Sequence, residues 1–249
     1  MKKYELTTEA KVNWLGKTLF RVKACVDFTT SSGDEVHAGD LGGFIEQETN
    51  LSHDGKCWIS GDAKVWGNAE VCGDAEVCGD AKVWGNAKVW GNAEVWGNAK
   101  VWGNAKVWGN AKVCGDANIF STKHIFTATP VGVHANSMTV FRTKNRELCI
   151  YFEFELYTPD AFKRMVIGWE DRLAKVALAI LDAAVKHIDL SGEAPVLKPC
   201  PFCGSDKVSV SYDEDDDTYS VGCSECGASG ALGDVEAAAV KAWNERAEQ

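Results

Sequence analysis

The sequence predicts a mainly β protein organised around a hexapeptide-repeat parallel β-helix. A six-residue unit of the form Gly-Asp-Ala-Lys-Val-Trp begins at Gly61, and ten such units follow one another without an insertion up to Ile119. Each unit carries one β-branched residue with an alanine two positions before it. A six-residue period of this kind is typical of β-helices in which three units form one coil.

The repeat also assigns its side chains to an inside and an outside. Strand side chains alternate, so Val65 points to one side while Lys64 and Trp66 point to the other. A buried column of lysines would be very unfavourable, which places Val65 and Ala63 in the interior. Gly61 and the Asp or Asn after each such glycine are predicted to form the corner, because these residues tolerate left-handed backbone angles.

Stacked coils place residues 18 apart above one another, roughly 4.8 Å from strand to strand. The outward positions therefore form columns of tryptophan and cysteine on three faces. The tryptophans in these columns are Trp66, Trp84, Trp102, Trp90, Trp108 and Trp96. Two interpretations stay open. The columns are self-stacking ladders that stabilise the coils, or one exposed face is an oligomer interface, which we expect in a trimer.

Residues 1–56 are predicted to form an N-terminal β cap on the rod, which spans residues 57–120. Residues 18–24 alternate between apolar and polar side chains, residues 31–34 form a turn, and residues 39–45 lead toward the repeat. An uncovered coil would expose backbone groups and core side chains, so the end of a β-helix needs such a cover.

The residues that enter the rod resemble a known group of proteins. Residues 39–45, the Asn50-Leu51-Ser52 step and residues 55–59 are similar to the opening of hexapeptide-repeat proteins from enterobacteria and their bacteriophages. The resemblance implies a left-handed β-helix and says little about activity.

Residues 121–190 leave the repeat and are predicted to form a small α+β domain. Strands are indicated near residues 124–126, 138–143 and 148–154. Thr158 and Pro159 favour a helix start, and an apolar stripe over residues 169–188 predicts a second helix. This pattern resembles a module that follows hexapeptide repeats in phage proteins. Residues 191–197 are predicted to be a linker.

Composition limits the classes of function. The chain of 249 residues carries 36 acidic and 26 basic side chains, a net charge of -10, which argues against indiscriminate binding to nucleic acid. We expect no signal peptide and no membrane span, since no apolar run is long enough. The cysteines do not suggest a disulfide framework, so we expect a cytoplasmic location in a bacterial host.

The clearest chemical signal is a pair of Cys-x-x-Cys motifs separated by nineteen residues. Each motif ends in a glycine that relaxes a tight turn. Four thiolates at this spacing predict a closed, structural zinc site rather than a catalytic or redox site. The predicted ligands are Cys200, Cys203, Cys223 and Cys226.

Residues 198–249 closely resemble the restriction alleviation protein (Lar) family of phages and prophages. The likeness rests on the Cys-Pro-x-Cys-Gly start, the Cys-x-x-Cys-Gly-Ala second knuckle and the Ala-x-x-Ala-Trp-Asn-x-Arg end. It implies a zinc ribbon with a C-terminal helix and a role in relieving host type I restriction. Family members are short free-standing ribbons, whereas this ribbon is attached to a rod.

Charge favours a protein partner for the ribbon. Residues 198–249 contain four basic and eleven acidic side chains, and zinc with four thiolates adds two further negative charges. DNA should be repelled, so we expect a host protein with a basic surface, such as a restriction-modification subunit, and no direct nucleic-acid contact. The predicted partner-binding loop, which could also be a plain solvated turn, comprises Asp213, Glu214, Asp215, Asp216 and Asp217.

Together these patterns predict a non-enzymatic bacteriophage accessory protein, an oligomeric β-helix scaffold that presents an acidic zinc ribbon to a host protein and counters restriction or another defence. Two alternatives stay open. One is a hexapeptide acyltransferase, with His53 as the histidine nearest the repeats, although no loop interrupts residues 59–119 to build a pocket. The other is a nucleotide or small-ligand module that uses the tryptophan and lysine columns.

Overall fold

The computed structural model describes residues 2–191, 197–213, 218–230 and 236–246. The chain separates into two units, Met1–Leu190 and Ser191–Gln249. The first unit is mainly β and contains the predicted β-solenoid, with an α+β module after it. The fold class predicted from the repeat is therefore confirmed, while the handedness of the coil stays a prediction.

The N-terminal segment extends one sheet of the rod. Strand β2 pairs antiparallel with both β1 and β5, and β5 continues in parallel onto the rod, where Phe44 pairs with Lys64. Lys3 is buried, and its Nζ donates to the carbonyl of Cys57 at 2.8 Å and that of Gly55 at 3.3 Å, which satisfies backbone groups at the open end. The strands are β1 Tyr4–Val12, β2 Thr18–Ala24, β3 Phe28–Thr29, β4 Glu35–Val36 and β5 Leu41–Ile45.

Eleven two-residue strands build the rod, and they stack into three faces. The first face continues β5 through β7, β10, β13 and β16; the second contains β8, β11 and β14; the third contains β6, β9, β12 and β15. The strands are β6 Trp58–Ile59, β7 Lys64–Val65, β8 Glu70–Val71, β9 Glu76–Val77, β10 Lys82–Val83, β11 Lys88–Val89, β12 Glu94–Val95, β13 Lys100–Val101, β14 Lys106–Val107, β15 Lys112–Val113 and β16 Asn118–Ile119.

The register and the interior agree with the repeat. Val83 pairs with Val65 on one side and Val101 on the other, which is the predicted spacing of 18 residues. Every valine and alanine of the repeat units is buried. At the corners the amides form a ladder, in which the Nδ2 of Asn68 donates to the Oδ1 of Asn86 at 3.1 Å.

The corner glycines offer a matched test of coil stacking. Gly85 and Gly109 both have positive φ, 74° and 68°. A Cβ on Gly85 would lie 3.0 Å from the backbone nitrogen of Gly103, whereas one on Gly109 would meet nothing within 4 Å. Gly109→Ala should therefore lower the free energy of unfolding only by the cost of a left-handed backbone at a non-glycine residue, about 1–2 kcal/mol. Gly85→Ala should cost about 1 kcal/mol more. Urea unfolding of both variants would measure the difference, and equal losses would contradict the packing argument.

The three outward columns differ in how the chain covers them. Trp66, in a column predicted to face outward, is only 2% exposed because Leu19 and Phe44 pack against it. Trp14 from the β1–β2 turn adds an edge-to-face contact at 6.4 Å. On the third face Trp96 contacts Tyr151 of the α+β module at 5.3 Å. These covers come from segments distant in sequence, so the repeat itself cannot indicate them.

The α+β module follows the predicted strand and helix order. Its four strands form an antiparallel sheet, and the side chain of Thr158 caps α1 by accepting from the Ala161 N–H at 3.2 Å. Phe152 and Phe162 meet edge to face in a core of the module's own. The pattern did not indicate the short strand β20. The elements are β17 Ile125–Val131, β18 Asn136–Arg142, β19 Leu148–Phe152, β20 Glu155–Tyr157, α1 Pro159–Val166 and α2 Asp171–His187.

The second unit contains the hairpin of β21 Val208–Asp213 and β22 Thr218–Cys223, followed by α3 Glu236–Arg246. The hairpin is antiparallel, with Val210 opposite Val221. Within the described parts of both units, every helix is too short or too polar to cross a bilayer.

Candidate metal centre

The first cysteine pair lies in a tight turn before β21. The N–H of Gly204 donates to the carbonyl of Cys200 at 2.8 Å, and the N–H of Cys200 donates to the carbonyl of Ser205 at 2.7 Å. Gly204 has φ of 71°, a conformation that favours glycine. The turn therefore directs the thiols of Cys200 and Cys203 to the same side.

The second pair repeats this geometry at the end of β22. The N–H of Gly227 donates to the carbonyl of Cys223 at 2.9 Å, and the N–H of Cys223 donates to the carbonyl of Ala228 at 2.8 Å. Gly227 has φ of 72°. Because the hairpin returns the chain to its start, the two turns face each other.

The four predicted ligands come together. The Sγ atoms of Cys200 and Cys226 are 3.6 Å apart, those of Cys203 and Cys223 are 3.7 Å apart, and all four sulfurs lie within 4.8 Å of one another. Tetrahedral coordination with metal–sulfur bonds of about 2.3 Å requires sulfurs about 3.8 Å apart. The cluster therefore fits one metal ion with four thiolate ligands, as in a zinc ribbon.

The thiols differ in their surroundings. Cys200 and Cys223 are buried, whereas Cys203 and Cys226 are exposed. Burial opposes ionisation of Cys200, but hydrogen bonds from the backbone N–H groups of Phe202 and Cys203, together with the Cys226 thiol, outweigh it and lower the pKa of Cys200 to about 7. This thiol therefore ionises readily, as a metal ligand must.

A second layer of contacts holds the turns in place. The N–H of Ser224 donates to the carbonyl of Lys207 at 3.0 Å, and the Lys207 ammonium pairs with the Glu225 carboxylate between the two turns. Both of these side chains are well exposed, so the pair adds little stability by itself. This ion pair was not predicted, although opposite charges beside the two motifs are a usable signal.

The C-terminal helix is fastened to the first turn. The Nε1 of Trp243 donates to the carbonyl of Lys198 at 3.1 Å, and the Oδ1 of Asn244 accepts from the Lys198 N–H at 2.9 Å. Trp243 is fully buried against the hairpin in a small core that includes Val221. Trp243 and Asn244 thus anchor the C-terminal helix to the residue just before the first cysteine turn.

The predicted acidic loop is only partly described. Asp213 is the last residue of β21, and its backbone pairs with Thr218. Residues 214–217 lie outside the described residues. The role of Asp213–Asp217 in partner binding therefore stays a prediction.

His53, the histidine of the acyltransferase alternative, lies beside strand β1. The ring of His53 stacks on Tyr4 with centroids 4.2 Å apart. A cleft of about 240 Å³ on the first face is lined by Asn98, Lys100, Asp116, Ala117 and Lys144, and its Lys144–Asp116 ion pair measures 2.9 Å. His53 is not among its lining residues.

The tryptophan column of the first face leaves no slot between neighbouring rings. On the first face Trp66 and Trp84 are parallel with centroids 5.0 Å apart, and Trp84 and Trp102 follow at 5.3 Å. Their parallel rings already stack on each other, as self-stacking ladders require. The base of a nucleotide would therefore have to bind outside these stacks. Ligand binding by the columns stays a prediction.

Comparison with known proteins identifies one region. Residues 195–247 match the family model described as restriction alleviation protein Lar. The match contains all four clustered cysteines and α3. No curated protein matches the chain.

Proposed function

We propose that this protein is a bacteriophage accessory protein without enzymatic activity, in which a self-associating β-helix presents a zinc ribbon that counters host restriction. The match of residues 195–247 to the restriction alleviation family carries the proposal. The four-cysteine cluster supports it, because a ribbon of this type needs a metal to fold. The metal is proposed to be zinc, which favours tetrahedral thiolate sites.

The partner is proposed to be a host protein with a basic surface, such as a restriction-modification subunit, met in the bacterial cytoplasm. The charge count over residues 198–249, four basic against eleven acidic side chains, favours such a partner over nucleic acid. Self-association would present several ribbons to one target and so increase avidity.

A restriction assay tests the proposal. Expression of the chain in a host with a type I restriction system should raise the plating efficiency of unmodified phage. Cys200→Ser and Cys223→Ser should each return plating to the level of the empty vector, because they remove metal ligands. The exposed Cys25, which lies outside the ribbon, provides the matched control, and Cys25→Ser should retain full activity. Unchanged plating with the wild-type chain would refute the anti-restriction role.

A further inference from the structure

In the described part of the first unit, the second face of the rod is the least covered of the three. Its outward residues are Glu70, Cys72, Lys88, Trp90, Lys106 and Trp108. Trp108 is 60% exposed, the largest exposure of any tryptophan in the repeat. The first face is covered at Trp66, and the third face meets the α+β module at Trp96. An indole this exposed on a flat sheet suggests a surface that associates.

Side-chain size changes systematically along this face. From the first coil to the third, the indole column runs from the small Cys72 through Trp90 to Trp108. Trp90 and Trp108 stack with centroids 6.2 Å apart, so the third coil projects an aromatic step that the first coil lacks. The side chains of this face therefore project further from the sheet at the Trp108 end, called the high end, than at the Cys72 end, called the low end.

The charged column changes in the same direction. Glu70 lies at the low end and Lys106 at the high end, with Lys88 between them. The Nζ of Lys88 is 3.6 Å from the Oε2 of Glu70. The face is therefore acidic beside Cys72 and basic beside Trp108.

We propose that the second face binds the second face of another copy of this chain, with the two rods antiparallel. A twofold axis along the strand direction at Trp90 reverses the order of the coils and keeps each column opposite its own copy. Trp108 then lies over the second copy's Cys72, and Lys106 lies opposite the second copy's Glu70. In the two outer coils both size and charge are complementary, and each of these contacts occurs twice, as an isologous interface requires. In the middle coil Trp90 and Lys88 lie opposite their own copies.

Parallel arrangements lose these matches. A threefold bundle or a parallel pair keeps equal coils at the same height, so Trp108 meets the level of another Trp108 and Lys106 that of another Lys106. Three strands present less area than a standard interface, so we expect the antiparallel pair to dissociate on dilution. The inference rests on the self-association proposed above and does not depend on the host partner.

Charge exchange tests the orientation. In sedimentation velocity over a concentration series, the full wild-type chain should show a monomer–dimer equilibrium. Glu70→Lys and Lys106→Glu should each raise the dissociation constant about tenfold or more, and the double exchange should restore it. Lys82→Glu makes the same charge change on the first face and should leave the dissociation constant unchanged. A monomer at every concentration, a trimer, or a double exchange without rescue would overturn the proposal.

A crosslink provides a second, independent readout. Trp108→Cys removes an exposed ring and should not disturb the core. A bis-maleimide that spans about 10 Å, the spacing of two packed sheets, should join position 108 to the second copy's Cys72, identified by peptide mass. A crosslink that joins two positions 108 would indicate a parallel arrangement and would refute the antiparallel one. Because neither assay contains a host protein, a monomer here would overturn the self-association alone, and the restriction assay decides the anti-restriction role separately.

Discussion

Cys223→Ser is expected to release the metal and unfold the ribbon while the β-helix stays folded. Cys223 is 3% exposed and lies where β22 meets the second turn, so its thiol reaches both the metal position and the small core beside Val221 and Trp243. Structural zinc contributes apparent binding free energies of about 10–16 kcal/mol in small domains. A core of this size cannot compensate for that loss.

Metal analysis and NMR can follow both parts of this prediction. The wild-type chain should contain one zinc per chain and show a dispersed indole signal for the buried Trp243; the variant should lose both. The rod should keep its own indole signals, because the two units separate at Leu190 and Ser191. Cys25→Ser serves as the control with unchanged metal content. Full zinc occupancy in the Cys223 variant would show that three thiolates suffice.

Val83→Asp is expected to unfold the rod. Val83 is fully buried, and it pairs with Val65 and Val101 in the coils on either side. A carboxylate here would enter an interior of valine and alanine that offers it no partner, at a cost of several kcal/mol. Domains of ordinary stability have only about 5–15 kcal/mol in total. We therefore expect loss of the cooperative thermal transition of the first unit, measured by circular dichroism.

The adjacent residue provides the control for this experiment. Lys82 lies on the outward side of the same strand, so Lys82→Asp introduces the same carboxylate without burying it. Its effect on the free energy of unfolding should stay within about 0.5 kcal/mol, the usual range for surface changes. Equal destabilisation by both variants would mean that the inside and outside of the repeat have been assigned wrongly.

The rod could be predicted from sequence because its contacts repeat. Val83 meets the same residue type above and below, so one strand determines the whole interior. The cover on Trp66 has no such local signal. Leu19 and Phe44 reach it only after β1, β2 and β5 have paired, and β1 itself shows weak alternation. Contacts between different segments, rather than local propensity, decide which columns are exposed.

The metal centre was predictable for a similar reason. Two short motifs each determine their own turn, and the hairpin between them brings the four sulfurs together. The fastening of α3 is different, because Trp243 and Asn244 bond to the backbone of Lys198, which carries no information about its partners. Sequence therefore indicates the ligands but not the contacts that hold them.

The 18-residue register also limits how the length of this protein can change during evolution. Near-identical units invite unequal recombination, which deletes or duplicates whole repeats. Gain or loss of 18 residues would reconnect Val83 to an equivalent valine and leave every column aligned. Gain or loss of a single six-residue unit between Trp96 and the α+β module would instead rotate the module by a third of a turn, so that Tyr151 would no longer reach Trp96. The length of the rod can therefore change in evolution only in steps of 18 residues, which is one complete coil.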